Sequence, residues 1–240
     1  MENGANIEEP HQTYPIHLSE GKAVIVHENS YLDKATVVLS KNYQKYIDKV
    51  VLTRGMILDR VEKLAQDIAR DYYNKEVVLL VIMKGAVVFG SSLAEKITEI
   101  LNNDITDSYS MNFSVEYISV SSYVDDKSSG EVKIKVDEKI SRKIKGKHVL
   151  IVEDIYDSGL SLLKLNSYLS SLVPLSVNSA VLFKKMNPEH LKYNYEINYV
   201  GFLIPDSFVI GFGMDYNEEF RQLNHLCVIN KEGIEHFKSK

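Results

Sequence analysis

Runs of apolar residues alternate with helical patterns along most of the chain. Residues 77–83 and 149–153 are strand candidates, because each begins with an apolar, β-branched run that suits a strand buried on both faces. A helical pattern follows each of them, the first to about residue 101 and the second from 159 to 172. Shorter strands are predicted at residues 22–27, 50–53, 112–123, 178–183 and 199–204.

Apolar residues at helical spacing predict two further helices. Residues 56–73 carry Ile57, Val61, Leu64 and Ile68 on one side, which is typical of an amphipathic helix. Residues 41–49 predict a shorter helix with Tyr43, Tyr46, Ile47 and Val50 on one face. Strands that alternate with helices indicate an α/β fold with a mostly parallel central sheet flanked by helices. Ligands of such sheets bind at the carboxyl ends of the strands.

Composition narrows the class of protein. The 240 residues are 45% hydrophobic and 25% charged, which describes one large domain or a domain with a small lobe. A net charge of −5 argues against nucleic-acid and anionic-membrane partners. The single cysteine, Cys227, excludes an intramolecular disulfide and is expected in the core. Without an apolar run of membrane length or a charged-then-apolar leader, a cytoplasmic protein is expected.

One stretch, residues 149–162, combines a buried strand with a polar turn and a helix start. Asp157 opens the turn, and Ser158 and Ser161 place hydroxyls at the helix entry, where free backbone N–H groups converge. Gly159 allows close backbone approach and an unusual dihedral. This arrangement favours a dianionic phosphate.

The acids beside this turn need a separate explanation. Glu153 and Asp154 lie on the strand side, where they can face sugar hydroxyls or a hydrated Mg²⁺. Asp157 lies between the two zones, in position to handle a proton near C1 of a sugar. A phosphorylated sugar with a metal fits all of these groups.

The same stretch has two other interpretations. Its strand resembles one of a two-component receiver domain, but some 148 residues precede it and an Asp-Ser-Gly turn follows directly. It also fits an ordinary strand followed by a capped helix, since Ser and Asp are common caps. Further polar blocks elsewhere in the chain disfavour both interpretations.

Those blocks occur in a characteristic order. They are Met83-Lys84-Gly85, Ser122-Tyr123 with the polar segment 125–130, Lys184-Lys185, the segment 205–211, and the segment from Asp215 to Arg221. Together with residues 149–162 they resemble the 5-phosphoribosyl-1-pyrophosphate (PRPP) signature of purine phosphoribosyltransferases. The chain is most similar to the hypoxanthine-guanine(-xanthine) phosphoribosyltransferase family, from about residue 50 onward.

The resemblance implies an architecture. It implies the type I phosphoribosyltransferase fold with a small hood lobe, formed from about residues 21–50 and 205–240. Residues 1–20, polar and containing Pro10 and Pro15, are expected to be a mobile arm before a single domain of residues 21–240. A non-proline cis peptide between Met83 and Lys84 and a homodimer or homotetramer are implied as well.

The resemblance also assigns the groups that bind PRPP. Ser158, Gly159, Leu160 and Ser161 would hold the 5′-phosphate, and Glu153 and Asp154 would hold the ribose hydroxyls or Mg²⁺. Pyrophosphate would be bound by Lys84, Gly85, Ser122, Tyr123 and Arg221, with the loop that begins at Ser122-Tyr123 closing as a lid.

A second set would bind the purine. Phe208 would stack on the ring, the Val209 backbone would pair with its 2-position edge, and Asp215 would lie nearby as a further Mg²⁺ ligand. Lys184 would donate to the O6 of a 6-oxopurine, which the amino group of adenine cannot accept. Lys185 is expected in solvent. Asp157 would be the general base that takes a proton at purine N7.

The implied reaction transfers phosphoribosyl from PRPP to N9 of hypoxanthine or guanine, giving IMP or GMP and pyrophosphate; whether xanthine is a third substrate stays open. The chain departs from the family pattern in three places; the first removes positive charge near the pyrophosphate, the second is expected to be tolerated, and the third alters the periphery more than the purine contact. Ser119 and Ser121 replace basic residues before the lid pair, Leu160 stands where relatives have Lys or Arg, and Lys-Lys-Met replaces Lys-Arg-Thr.

Two alternatives keep the fold and change the function. A PRPP- or nucleotide-sensing regulator would lack the chemistry that Asp157, Lys84, Lys184 and Arg221 supply. An adenine or pyrimidine phosphoribosyltransferase is disfavoured by Lys184 together with Phe208-Val209. The seven histidines show no pair at metal-ligand spacing, so a zinc site is not expected.

Overall fold

The structure is a computed structural model. It describes residues 16–18, 23–105, 108–122, 132–135, 138–187, 193 and 195–238, and only the backbone of residues 16–18, 120–122 and 132–135.

An eight-stranded sheet forms the centre of the described chain. In spatial order its strands are β1 (Ile16–Leu18), β2 (Val24–Val26), β10 (Tyr199–Ile204), β9 (Ser176–Lys185), β8 (His148–Tyr156), β5 (Lys75–Met83), β6 (Met111–Ser122) and β7 (Val132–Lys135). The six central strands pair in parallel, and the two edge strands are antiparallel to their neighbours. The predicted α/β class with a mostly parallel central sheet is confirmed.

A smaller antiparallel sheet contains strands from two distant parts of the chain. Its order is β11 (Val209–Ile210), β12 (Leu226–Ile229), β4 (Ile47–Leu52) and β3 (Leu32–Asp33). Its side chains enclose a separate apolar cluster that includes Tyr43, Phe220 and Cys227. Cys227 is fully buried there, as expected, and burial raises its thiol pKa to about 12.

Helices cover both faces of the large sheet. They are α1 (Arg54–Asp71), α2 (Val87–Asn103), α3 (Glu138–Ile144) and α4 (Leu160–Ser170), and α5 (Lys231–Phe237) packs on the smaller sheet. Thr53 caps α1 by accepting a 3.3 Å hydrogen bond from the Met56 amide. The α1 residues predicted to share a face are all buried.

Strand β5 lies between two apolar cores, which explains why most of its residues are apolar. Val77, Leu79 and Val81 point into the core beneath α1 and α2, whereas Leu80 and Ile82 point into the core beneath α3 and α4. Because alternate side chains enter two separate cores, both faces must be apolar.

Strand β8 is longer than predicted and contains both acids. It runs to Tyr156, since Glu153 pairs with Val181 and Tyr156 pairs with Lys184 on β9. Both carboxylates are therefore carried by a paired strand.

The helix predicted at residues 41–49 is wrong. A 3₁₀ turn, Gln44–Tyr46, is followed directly by β4, which begins at Ile47. Ile47 pairs with Ile229 of β12, so sheet pairing with a remote segment overrides the local helical spacing. Of the predicted N-terminal arm, only residues 16–18 are described, as β1 beside β2.

Candidate active site

The carboxyl end of β5 leads into Lys84-Gly85 through a cis peptide between Met83 and Lys84, as expected. This turn is tightly enclosed. A Cβ on Gly85 would lie 1.9 Å from Asp154 Oδ2, and a Cβ on Gly213, whose φ is +101°, would lie 2.1 Å from the Gly85 carbonyl oxygen. Only glycine fits either place, so the loop backbone borders the Asp154 carboxylate directly.

The carboxyl end of β8 leads into a turn of Asp157, Ser158 and Gly159, and α4 starts at Leu160. Gly159 has φ +82°, and a Cβ there would lie 2.1 Å from the Tyr156 hydroxyl oxygen. The turn is therefore restricted to glycine both by its backbone conformation and by the tyrosine ring beneath it.

A cavity of about 240 Å³ lies over this turn. Its lining contains every residue predicted for the ribose phosphate except Leu160. The departure from the family at Leu160 thus falls outside the cavity wall.

The two acids of β8 lie at the floor of this cavity. Asp154 is buried, with 7% of its surface exposed. Burial, and then the neighbouring Asp154 carboxylate, raise the pKa of Glu153 well above its usual value. A ligand that supplies hydroxyl donors or positive charge would stabilise the ionised form of these two carboxylates.

A second cavity, of about 320 Å³, adjoins the first. The two share Gly85, Asp154, Ile155 and Asp157, so they form one cleft. Among the residues that line the second cavity alone are Phe208, Val209, Met214 and Asp215.

Phe208 is half exposed toward this cleft and is not part of the core. Its ring meets the Tyr216 ring edge-on at 5.4 Å between centroids, which holds its orientation. Val209 is buried and begins β11. The cleft therefore offers a flat aromatic face beside a strand backbone.

The two lysines at the end of β9 occupy different environments. Lys185 lines the larger cavity with only 13% of its side chain exposed, and its ammonium lies 3.3 Å from Asp157 Oδ1 and 3.4 Å from Asp206 Oδ1. The expectation that Lys185 lies in solvent is wrong. The Lys184 ammonium lies instead 5.6 Å from the centre of the Tyr156 ring, and Lys184 lines neither cavity.

A cluster of charged residues lies where the cleft meets the Lys84-Gly85 loop. Arg221 contacts Asp215 at 2.8 Å and donates to the Gly213 carbonyl at 3.0 Å. Glu218 lies 3.0 Å from the Lys84 ammonium and 3.3 Å from Arg221. Lys84 is thus brought to the segment that carries Asp215 and Arg221, although it is remote from both in sequence.

The remaining predicted site residues are described in part or not at all. Ser122 is the last residue of β6, with only its backbone described, and Tyr123 lies outside the described residues. Within the described ranges, no group of three or more His, Cys, Asp or Glu side chains could hold a metal ion. No helix of that same part of the chain is long and apolar enough to cross a membrane.

Among the residues that sequence reasoning missed are Ile155, Met214 and Lys185, which line the cleft, and Glu218, which contacts Lys84 beside it. Strand alternation would not have indicated Ile155, because Ile155 packs against the same core as Val152, three residues before it, whereas Tyr156 packs against the other core. The other three become visible only when the segments meet.

Comparison with known proteins shows which family the chain resembles. Residues 51–217 match the model of the phosphoribosyl transferase domain. The chain is 39% identical over 216 residues to the hypoxanthine-guanine-xanthine phosphoribosyltransferase of Plasmodium falciparum, covering 90% of this chain and 92% of the relative. It is 35% identical over 201 residues to the human hypoxanthine-guanine phosphoribosyltransferase, covering 84% and 89%.

A solved structure shows the same architecture. The hypoxanthine-guanine phosphoribosyltransferase of Schistosoma mansoni, determined in complex with IMP, superposes with a TM-score of 0.72 and 30% identity, covering 89% of this chain and 97% of that one. The expected type I phosphoribosyltransferase fold is confirmed. The chain belongs to the phosphoribosyl transferase domain family, alongside relatives named hypoxanthine-guanine phosphoribosyltransferases.

Proposed function

We propose that this protein is a purine salvage enzyme that transfers phosphoribosyl from PRPP to N9 of hypoxanthine or guanine, releasing pyrophosphate. One observation carries the proposal: the phosphate turn, the Lys84-Gly85 loop and the Phe208 face border a single cleft that shares Gly85, Asp154 and Asp157. The names of the relatives support the same reaction.

The smaller cavity would hold the ribose 5-phosphate. Residues 158–161 offer backbone amides and two hydroxyls at the start of α4, where the helix dipole also favours an anion. Glu153 and Asp154, on the adjoining floor, would accept hydrogen bonds from the ribose hydroxyls.

The larger cavity would hold the purine. Its ring would stack on Phe208, and its 2-position edge would meet the Val209 backbone. A lysine at the end of β9 would donate to O6 and so select 6-oxopurines. Family resemblance favours Lys184 for this role, whereas the lining of the cavity supports Lys185.

Asp157 would accept the proton that develops at purine N7 as N9 attacks C1 of the ribose. It borders both cavities, so it lies where the base and the sugar meet, and its carboxylate is exposed to the cleft. Lys84, the Gly85 backbone and Arg221, with Ser122 and Tyr123 of the lid, would hold the departing pyrophosphate.

Carboxylates in the cleft fit a Mg²⁺ ion shared with the substrate. Mg²⁺ is usually bound by one or two carboxylates together with substrate phosphates and waters, and Asp154 and Asp215 both line the larger cavity. Bound there with PRPP, the ion would neutralise charge on the pyrophosphate leaving group.

A steady-state assay tests the proposal. Purified protein with PRPP and Mg²⁺ is offered hypoxanthine, guanine, xanthine and adenine in parallel. Turnover of the 6-oxopurines without adenine supports the function, and the xanthine rate sets the range of substrates. PRPP or nucleotide binding without turnover would favour the regulator instead.

We further propose a cytoplasmic enzyme that assembles as a homodimer or homotetramer, with residues 21–240 as one domain. Likeness to the family supports these three points. Light scattering of the purified protein measures the assembly, and a monomer would contradict it.

A further inference from the structure

Glu218 joins the two cations at the pyrophosphate end of the cleft. Its Oε2 accepts a 3.0 Å hydrogen bond from the Lys84 ammonium, and its Oε1 lies 3.3 Å from the Arg221 guanidinium. The hydrogen bond from Lys84 lowers the pKa of Glu218, so the carboxylate is ionised at neutral pH. A single side chain thus occupies the space where two anion-binding groups converge.

The backbone fixes the direction of this carboxylate. The Glu218 amide donates to Asp215 Oδ2 at 2.8 Å, and Tyr216 and Glu219 exchange backbone hydrogen bonds at 3.1 Å. Asn217 and Glu218 both have positive φ, +50° and +68°, which is uncommon outside glycine. A tight turn therefore presents Glu218 to Lys84 and Arg221.

We propose that Glu218 is an internal counterion that occupies the pyrophosphate subsite and is displaced when PRPP or pyrophosphate binds. This rests on the proposed function, which assigns that subsite to Lys84 and Arg221. Glu218 then sets the charge an anion needs in order to enter, because a multiply charged pyrophosphate can outcompete one carboxylate for both cations, whereas a singly charged anion cannot.

Two observations support displacement. Lys84 and Glu218 are both more than 60% exposed, and ion pairs that exposed are weak because water competes with them, so the contact breaks easily. The Arg221 Nε is buried and has no hydrogen-bond partner within the described ranges. The present contacts of Arg221 thus leave one donor of its guanidinium unsatisfied.

The test compares pyrophosphate binding to the wild-type protein and to Glu218→Gln, by calorimetry in the presence of a chelator. The amide keeps the shape and loses the charge, so we expect pyrophosphate to bind about two- to tenfold more tightly to the variant. The same factor should appear as a lower inhibition constant for pyrophosphate in the assay. At about 1 M salt the difference should shrink, since charges are then screened within about 3 Å.

Glu235→Gln is the matched control. It removes the same charge from α5, where Glu235 pairs with Lys238 at 3.4 Å, and it should leave pyrophosphate affinity unchanged. Glu218→Ala repeats the test without an amide, and a thermal melt confirms that each variant folds.

Unchanged pyrophosphate binding in Glu218→Gln would overturn the proposal, because Glu218 would then have no effect on the affinity. Weaker binding would also overturn it, because Glu218 would then help binding by holding the two cations in place. An equal gain in Glu235→Gln would also overturn it, by reducing the effect to net charge. Failure of the proposed function looks different, because wild-type protein would then show no turnover with any purine, whatever the calorimetry gives.

Discussion

The ammonium of Lys185 lies 3.3 Å from the carboxylate of Asp157 in the wall of the larger cavity of the cleft. Lys185 is the last residue of β9, and Asp157 lies in the turn after β8. Because these two strands are parallel neighbours, both side chains lie at the carboxyl end of the sheet. The same ammonium lies 3.4 Å from Asp206. Asp157, the proposed proton acceptor, thus has a nearly buried cation beside it.

Replacing Asp157 by Asn should slow catalysis without preventing substrate binding. The amide cannot take a proton from purine N7, so we expect turnover to fall by about 10²–10⁴ while the KM for PRPP changes little. Steady-state kinetics measures both. Asp206→Asn, which removes a carboxylate from the same lysine, is the control and should retain most of the turnover. Full activity of Asp157→Asn would remove Asp157 from the mechanism.

Lys184→Met and Lys185→Met separate the two candidates for the purine contact. If Lys185 donates to O6, its removal should lower kcat/KM for guanine by about 10- to 150-fold, the cost of losing a hydrogen bond from a charged donor. Lys184→Met should then have little effect, since Lys184 lines neither cavity. The reverse pattern would assign the contact to Lys184, as the family resemblance implies.

Gly85→Ala should damage the site. The new Cβ would lie 1.9 Å from Asp154 Oδ2, so either the loop or the buried carboxylate must move. We expect a loss of about 1–3 kcal/mol in the free energy of unfolding and a large drop in activity. Gly55→Ala at the start of α1 is the control. Its Cβ has 3.9 Å to the nearest atom, so stability should rise or stay level.

Glu153→Gln should stabilise the protein at neutral pH and lower its activity. The pKa of Glu153 is raised by folding, so its contribution to stability is greatest below about pH 4.3, the unfolded value, and falls as pH rises through the folded value. Each unit of difference costs about 1.4 kcal/mol at high pH, and the neutral amide avoids this cost.

Thermal melts of both proteins at pH 4 and pH 8 check this prediction. The variant should gain at pH 8 and nearly match the wild type at pH 4, where Glu153 is protonated in the folded state and mostly protonated in the unfolded state. Glu76→Gln, at an exposed glutamate paired with Lys147, should show no such gain. A gain of equal size at both pH values would contradict the assigned cause.

Elements with a strong local period were predictable. The α1 stripe and the apolar runs of β5 and β8 were placed within a few residues of their observed bounds, because burial demands a fixed spacing of apolar residues. Segment 41–49 was misread because its burial depends on β12, a partner about 180 residues away. Short strands such as β3 carry too few residues for a periodic signal.

By itself, the sequence determined the fold class, the family and the order of the polar blocks at strand ends, since these follow from local periodicity and from motifs read along the chain. Only the tertiary structure decided that Lys185 and not Lys184 enters the larger cavity, and that Glu218 lies between Lys84 and Arg221. The physical reason is geometric. The face that a side chain takes at a strand end, and the ion pairs between remote turns, depend on distances that exist only after the segments pack.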